Sequence, residues 1–322
     1  MRENLKMNEH QEKECIYRDI IIVGSGPAGL SAALYAARAD LNPMVLTGST
    51  LHGQASTTDI IENYPGFPDG VGGMELGQLF QKQAERFGAE VVIDQATSIH
   101  LGPQRYCIET YGKHYEAKTM IITTGATSRK LEVPGEKEFV GRGVSYCGTC
   151  DGWFFKDKDI VVVGGGDSAL EEGLFLTRFA KSVTIIHRRD ELRAGAILQN
   201  RAFNHPKISF IWDTIVTEIQ GQQGVTGVTL KNVKSQESIF HPTDGVFVFI
   251  GHTPNTELFN DQLELDEEGY ILINKFMETS VEGVFAAGEV ADPIFRQVIT
   301  SAGMGAAAAI QATRYLESLD EI

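Results

Sequence analysis

Two copies of one pattern constrain this chain more than anything else in it: a short β-branched run that breaks into a glycine loop and continues as a helix of small residues. The first copy runs through Asp19, Ile20, Ile21, Ile22 and Val23 into Gly24, Ser25, Gly26, Pro27, Ala28 and Gly29, then into an alanine-rich helical pattern to about residue 40. The G-x-G-x-x-G spacing turns the chain tightly, lets a pyrophosphate approach the backbone, and aims a helix N-terminus at the phosphates. A single copy would be weak support. The second follows 140 positions later, with a strand over 159–163, then Gly164, Gly165, Gly166, Asp167, Ser168 and Ala169, and a helix through residue 179. Alanine replaces the last glycine where only close helix–strand packing is needed. Two such strand-to-helix junctions predict an α/β chain with two dinucleotide sites.

The residues after the next strand in each copy sort the ligands. After the strand over 43–46 stand Thr47 and Gly48, where an acidic side chain would hold a ribose, so the first ribose is held differently or the ligand is not plain NAD. After the strand over 182–186 the chain reads His187, Arg188, Arg189, Asp190, Glu191, Leu192, Arg193. Arginines at that position suit a 2′-phosphate through paired charge-assisted hydrogen bonds, and favour NADP over NAD.

Between the copies lies a third feature, Cys147-Gly148-Thr149-Cys150-Asp151. Cysteines this close form a tight, reducible ring, and a thiolate there is readily stabilised, with Asp151 adding a carboxylate beside it. The spacing also serves as half of a zinc site or as a plain structural pair, and the residues alone leave these readings open. The other two cysteines, Cys15 and Cys107, are expected to be unpaired thiols. Four cysteines with one close pair point to a reducing, cytoplasmic compartment rather than a secreted disulfide scaffold.

Composition narrows the class. At 322 residues and 42% hydrophobic, the chain is long enough for about two domains. Its 34 glycines indicate many tight turns or close backbone approaches. A net charge of −15 argues against nucleic acid or an anionic membrane as partner. Residues 1–17 mix charges without an apolar core and read as a solvated arm, and no stretch approaches the roughly 18 apolar residues of a spanning helix.

The rest of the chain reads as connecting structure. Residues 49–73 look like a long loop containing Gly53, Gln54 and Asn63; 74–87 has helical spacing; strands are expected near 90–93, 99–101, 106–110 and 118–123, the last running into Gly125. Short strands follow over 207–240 and at 246–250 and 284–287, the last leading into Gly288 and Glu289, with a final helix over about 297–316.

Taken together, GSGPAG, ENYPGFP, SYCGTCDG, GGGDSA, HRRDELR, GHTPN and AGEVADPIFRQVITSAG, in that order, resemble the low-molecular-weight thioredoxin reductases over nearly the whole chain. The resemblance implies two Rossmann-like three-layer domains: a discontinuous FAD domain, residues 1–127 with 252–322, and an inserted domain, 128–251, carrying NADPH and the redox disulfide. It implies that Gly24, Ser25, Gly26, Pro27 and Ala28 cradle the FAD pyrophosphate. Thr47, Gly48, Gly53, Gln54, Asn63 and Gly125 would complete that site, closed by Gly288, Glu289, Arg296, Gln297 and Val298. Gly166, Asp167, Ser168, His187, Arg188, Arg189 and Arg193 would hold NADPH.

The activity implied is hydride transfer from NADPH to FAD, electron transfer to the Cys147–Cys150 disulfide, and exchange with oxidised thioredoxin by a homodimer. Cys150 would face the flavin, Cys147 would attack the partner, and Asp151 would deliver a proton. Gly125 and residues 251–255 are the expected hinges. Two residues depart from the family pattern: Gly148, where alanine is expected, and Glu289, where aspartate is usual. The alternatives are a related flavin disulfide reductase or dithiol oxidase with another partner, and a nucleotide- or zinc-binding protein without turnover. The arginines weigh against the oxidase, and a single Cys-x-x-Cys against a structural zinc site, which wants four ligands.

Overall fold

A computed structural model describes residues 14–58, 60–102 and 105–320. The chain divides into two compact units, one comprising the described residues of 1–60, 64–126 and 254–322, the other 61–63 and 127–253.

The first unit begins β1 (Glu14–Val23), α1 (Pro27–Arg38), β2 (Met44–Leu46), α2 (Gly73–Arg86), β3 (Glu90–Val92), and continues through β4 (Ser98–Leu101), β5 (Tyr106–Glu109) and β6 (Lys113–Ile122). The chain then crosses on β7 (Ala126–Ser128) into the second unit. There follow β8 (Val144–Ser145), α3 (Gly148–Asp151), β9 (Asp159–Gly164), α4 (Asp167–Leu176), β10 (Ser182–Ile186), α5 (Ala196–Phe203) and β11 (Ile208–Ile211). Three further strands, β12 (Thr214–Gly221), β13 (Val225–Asn232) and β14 (Ser238–Pro242), precede β15 (Gly245–Phe249). The return crossing is β16 (His252–Pro254), which pairs with β7, and the first unit ends with β17 (Val284–Ala286) and α6 (Val298–Asp320).

In the first unit β3, β2, β1 and β6 lie side by side in parallel. β6 shares its far edge between two partners: β5 pairs antiparallel with its first half and β17 parallel with its last residues. Successive residues of a strand face opposite sides, so a run of apolar residues means both faces are covered. Ile20, Ile22, Val45 and Ile121 pack on one side with the alanines of α1 and α6. Ile21, Val23, Met44, Met120 and Ile122 pack on the other with Tyr106, Ile108, Tyr115 and Phe259. The small residues of α1 and α6 permit close approach: a β-carbon at Gly305 would fall 2.0 Å from the Ala28 carbonyl oxygen.

The second unit repeats the logic with different layers. Its parallel sheet runs β11-β10-β9-β15-β8. Ile160, Val162, Val183 and Ile185 pack on one face with Ala169, Leu170 and Leu176 of α4. Val161, Val163 and Ile186 pack on the other with Val216, Ile219 and Val228 from the antiparallel sheet β12-β13-β14.

One expectation changes. Residues 14–17, read from sequence as the end of a solvated arm, are the first rungs of β1, with Glu14, Cys15, Ile16 and Tyr17 opposite Lys113, His114, Tyr115 and Glu116. β6 correspondingly starts at Lys113, five residues before the expected strand. The reason is alternation: Tyr115 and Ala117 are buried and Ile16 packs against their cluster, while the polar residues between them face the other way. Residues 1–13 lie outside the described residues. Among the described residues no helix is long and apolar enough to cross a membrane.

Candidate functional site

At the first glycine loop, backbone crowding dictates the sequence. Gly24 has φ 113°, and a β-carbon there would lie 2.3 Å from the Thr123 carbonyl oxygen. A β-carbon at Gly29 would meet the Gly24 carbonyl at 1.9 Å. Gly26 is the N-cap of α1 and Pro27 opens the helix, with no side chain capping it. The first-turn N–H groups of such a start are available to an anion. Gly53, at φ 69°, comes from the 49–73 segment to lie against the loop: its β-carbon would be 2.9 Å from Gly26 Cα. Gln54 follows in a 3-10 turn.

Buried side chains fasten this arrangement. Ser25 Oγ accepts from the His52 backbone N–H at 3.1 Å, and His52 Nε2 contacts Gln81 Oε1 of α2 at 2.7 Å. Thr47 is buried at the end of β2, followed by Gly48 at φ 70°. At the end of β6, Thr124 Oγ1 donates to the Asn255 carbonyl and Asn255 Nδ2 donates to the Thr124 carbonyl, beside Gly125 at φ 71°. Asn63 groups with the second unit.

The C-terminal segment reaches the same helix start. A β-carbon on Gly288 would lie 2.9 Å from Ala28 Cβ. Buried Asp292 accepts hydrogen bonds from the backbone N–H groups of Ile294, Phe295 and Arg296, building the turn that presents Arg296, Gln297 and Val298 at the start of α6. Burial pushes the Glu289 carboxyl above the usual range; Arg296 opposes this and Asp292 adds to it.

The second glycine loop has the same geometry with different neighbours. A β-carbon at Gly164 would strike the Phe249 carbonyl oxygen at 2.4 Å, and one at Gly165 the His187 ring at 2.3 Å. Gly166 is the N-cap of α4, again without a side-chain cap. Residues 193–195 fold back onto this loop: the Arg193 N–H donates to the Gly165 carbonyl, and the Gly195 N–H to Asp167 Oδ1. His187 is buried, and its imidazole titrates below the ordinary value because burial disfavours the cation, with Arg193 and Arg189 adding to this against two backbone hydrogen bonds. Its Nε2 has no hydrogen-bond partner among the described residues. Arg188, Arg189 and Arg193 are exposed. The acid of the same stretch, Asp190, is engaged by Lys234 at 2.8 Å, which holds its carboxyl below the usual range.

Cys147 and Cys150 are joined as a disulfide with Cα atoms 5.3 Å apart. Cys147 is the N-cap of α3; its Sγ accepts from the Cys150 N–H at 3.2 Å and lies 3.4 Å from Thr149 Oγ1. Ser145 clasps the Cys147 backbone, donating from Oγ to its carbonyl and accepting its N–H. Asp151 follows directly, its N–H bonded to the Cys147 carbonyl. The Gly148 departure has a local correlate: a β-carbon there would meet Glu172 Oε2 at 2.2 Å.

The donor sets fit two phosphate-bearing dinucleotides. Each unit offers an uncapped helix start behind a glycine loop whose first glycine, Gly24 or Gly164, leaves no room for a β-carbon, and exposed Arg188, Arg189 and Arg193 flank the second. Sequence reasoning missed His52, the Thr124–Asn255 clasp and the role of Asp292. The first two carry no local signal, since their partners are 27 and 131 positions away. Asp292, two to four residues before the N–H groups it accepts, had the spacing of a turn-capping aspartate.

The family described as pyridine nucleotide-disulphide oxidoreductase matches residues 18–306, which sets the class. The chain is 52% identical over 307 residues to the thioredoxin reductase of Streptomyces coelicolor, covering 94% of this chain and 95% of that one. It is 49% identical to the bifunctional thioredoxin reductase/thioredoxin of Mycobacterium leprae, covering 92% of this chain and 66% of that longer protein. The crystal structure of thioredoxin reductase from Streptococcus pyogenes MGAS5005 superposes with a TM-score of 0.89 at 46% identity, over 94% of this chain and 99% of that one. The chain therefore belongs to the thioredoxin reductase family.

Proposed function

We propose that the chain reduces thioredoxin with electrons from NADPH, passed through FAD to the Cys147–Cys150 disulfide. The observation that carries this reading is the half-buried disulfide set in the same compact unit as an arginine-flanked glycine loop. The relatives' shared activity supports it, and the leprosy bacillus protein, whose name joins reductase and thioredoxin, supports the partner.

In this reading the first unit holds FAD on Gly24 to Ala28, Thr47, Gly48, Gly53 and Gln54, with Gly288, Glu289, Arg296, Gln297 and Val298 closing the site. The inserted unit, about residues 128–251, holds NADPH on Gly166, Asp167 and Ser168, with Arg188, Arg189 and Arg193 on the 2′-phosphate. Asn63 and Gly125 are assigned to the flavin site on the resemblance alone. The bound cofactors supply the hydride and the electron pair.

The chain's own residues then act as follows. Two electrons open the Cys147–Cys150 bond, and Asp151 supplies a proton to the emerging Cys150 sulfur. The Cys147 thiolate attacks a thioredoxin disulfide and one thioredoxin sulfur leaves, taking a proton from solvent; Cys150, returning its proton to Asp151, then attacks Cys147 Sγ to release the second sulfur, which is protonated in turn, and to close the ring. Thr149 and the Cys150 N–H, both beside Cys147 Sγ, lower the cost of its charge. A homodimer, and hinging at Gly125 and 251–255, complete the proposal. Steady-state oxidation of NADPH and of NADH with oxidised thioredoxin tests it. NADPH-dependent turnover with strong preference over NADH is expected; equal use of NADH, or no thioredoxin reduction, contradicts it.

A further inference from the structure

On the β1-β6-β5 part of the first unit's sheet, near the starts of β1 and β6, a cysteine, a histidine and a glutamate converge. One donor atom from each of Cys15, His114 and Glu116 lies within 4.8 Å of the other two. The register builds the cluster. Cys15 stands opposite His114 in the parallel β1–β6 pair, and Glu116 lies two residues on along β6, on the same face. The antiparallel β5 places Glu109 opposite His114.

The neighbours orient the donors as they do around bound metals. His114 Nδ1 is 2.5 Å from Glu109 Oε1, a contact that fixes the ring and leaves Nε2 as the free nitrogen once that atom is deprotonated. Nε2 then lies 3.2 Å from Glu116 Oε1. Two donors held about 2.0–2.2 Å from one tetrahedral ion are separated by roughly 3.3–3.6 Å, so this pair is already close to chelating distance. The other glutamate oxygen, Oε2, is engaged by Arg105 Nη1 at 3.0 Å, which turns Oε1 to the imidazole. The His114 and Glu116 side chains are 23% and 19% exposed, and Glu116 also lines an open cleft of about 670 Å³.

We propose that Cys15, His114 and Glu116 form a Zn²⁺ site, with one coordination position left to water. One thiolate, one imidazole and one carboxylate are a borderline-soft donor set that suits zinc and disfavours Mg²⁺ or Ca²⁺, which take oxygen ligands. Binding displaces a proton from the Cys15 thiol and one from the His114 ring to solvent, so affinity falls as pH falls.

The test uses the full flavoenzyme with the Cys147–Cys150 disulfide oxidised, so that the redox thiols cannot ligate. Zn²⁺ is titrated in competition with a chromophoric chelator, and Co²⁺ is substituted to report thiolate coordination. One Zn²⁺ per chain is expected, with a thiolate-to-cobalt absorption band that Cys15→Ser abolishes. Glu109→Gln, which leaves all three ligands in place, should weaken zinc by about 10- to 100-fold. Zn²⁺ should also protect Cys15 from alkylation in the unsubstituted protein, read by peptide mass spectrometry, a measurement independent of any variant's folding. Absence of stoichiometric binding, binding indifferent to Cys15→Ser, or unprotected Cys15 at saturating zinc would overturn the proposal.

Discussion

Arg193 lies beside Gly166: a β-carbon at the glycine would be 4.0 Å from Arg193 Nη2, so the guanidinium stands next to the open N-terminus of α4. Its backbone is fixed there by the hydrogen bond to the Gly165 carbonyl. In the proposed reading the two divide the phosphates of NADPH, the pyrophosphate to the helix start and the 2′-phosphate to the arginine.

Arg193→Ala should therefore raise KM for NADPH by about 10-fold or more, the cost of losing a hydrogen bond to a charged group, while leaving KM for NADH nearly unchanged. Steady-state kinetics with both nucleotides separate this from general damage. Equal losses for the two would mean that Arg193 only supports the loop.

Two glycines that a β-carbon would crowd should respond differently. At Gly165 the obstacle is the buried His187 ring, so Gly165→Ala should cost about 1–3 kcal/mol in thermal or denaturant unfolding. At Gly148 the nearest atom is the far end of the Glu172 side chain, which can swing aside, so Gly148→Ala should change stability by less than about 1 kcal/mol and keep turnover. Similar large losses at both would show that Glu172 is fixed.

His187 gives a pH dependence of stability. Burial lowers its folded pKa below the unfolded value of about 6.5, so the unfolded chain binds the proton more readily. Its contribution is present above the unfolded pKa and is lost as pH falls from there towards the folded pKa. His187→Asn should shrink the drop in Tm between about pH 7.5 and about pH 5.5; an unchanged drop would assign acid sensitivity to other groups.

Glu289 bears on flavin retention. Its carboxyl is pushed up by burial, with Arg296 pulling the other way. Glu289→Asp keeps the charge type and should leave the ratio of FAD to protein after gel filtration unchanged or higher. Loss of most of the flavin would show that the longer side chain is required.

The sequence revealed the two glycine loops, the cysteine pair and the arginines because each is a local pattern whose physics is set within about ten residues. It hid what depends on distant partners. Residues 14–17 look like a polar arm until β6 supplies their hydrogen bonds from about a hundred positions away, and Tyr115 and Ala117 show why the ladder is worth making. Asp190 reads as part of a charged run, yet its ion pair with Lys234 removes it from competition with the arginines. Gly148 reads as a departure from a family pattern, and only the fold brings Glu172 to it.

In the proposed mechanism electrons leave through Cys147. NADPH-driven reduction of thioredoxin by Cys147→Ser measures it most directly, with flavin absorbance followed in the same cuvette. NADPH is expected still to bleach the flavin while thioredoxin reduction is lost; sustained thioredoxin turnover by this variant would contradict that route.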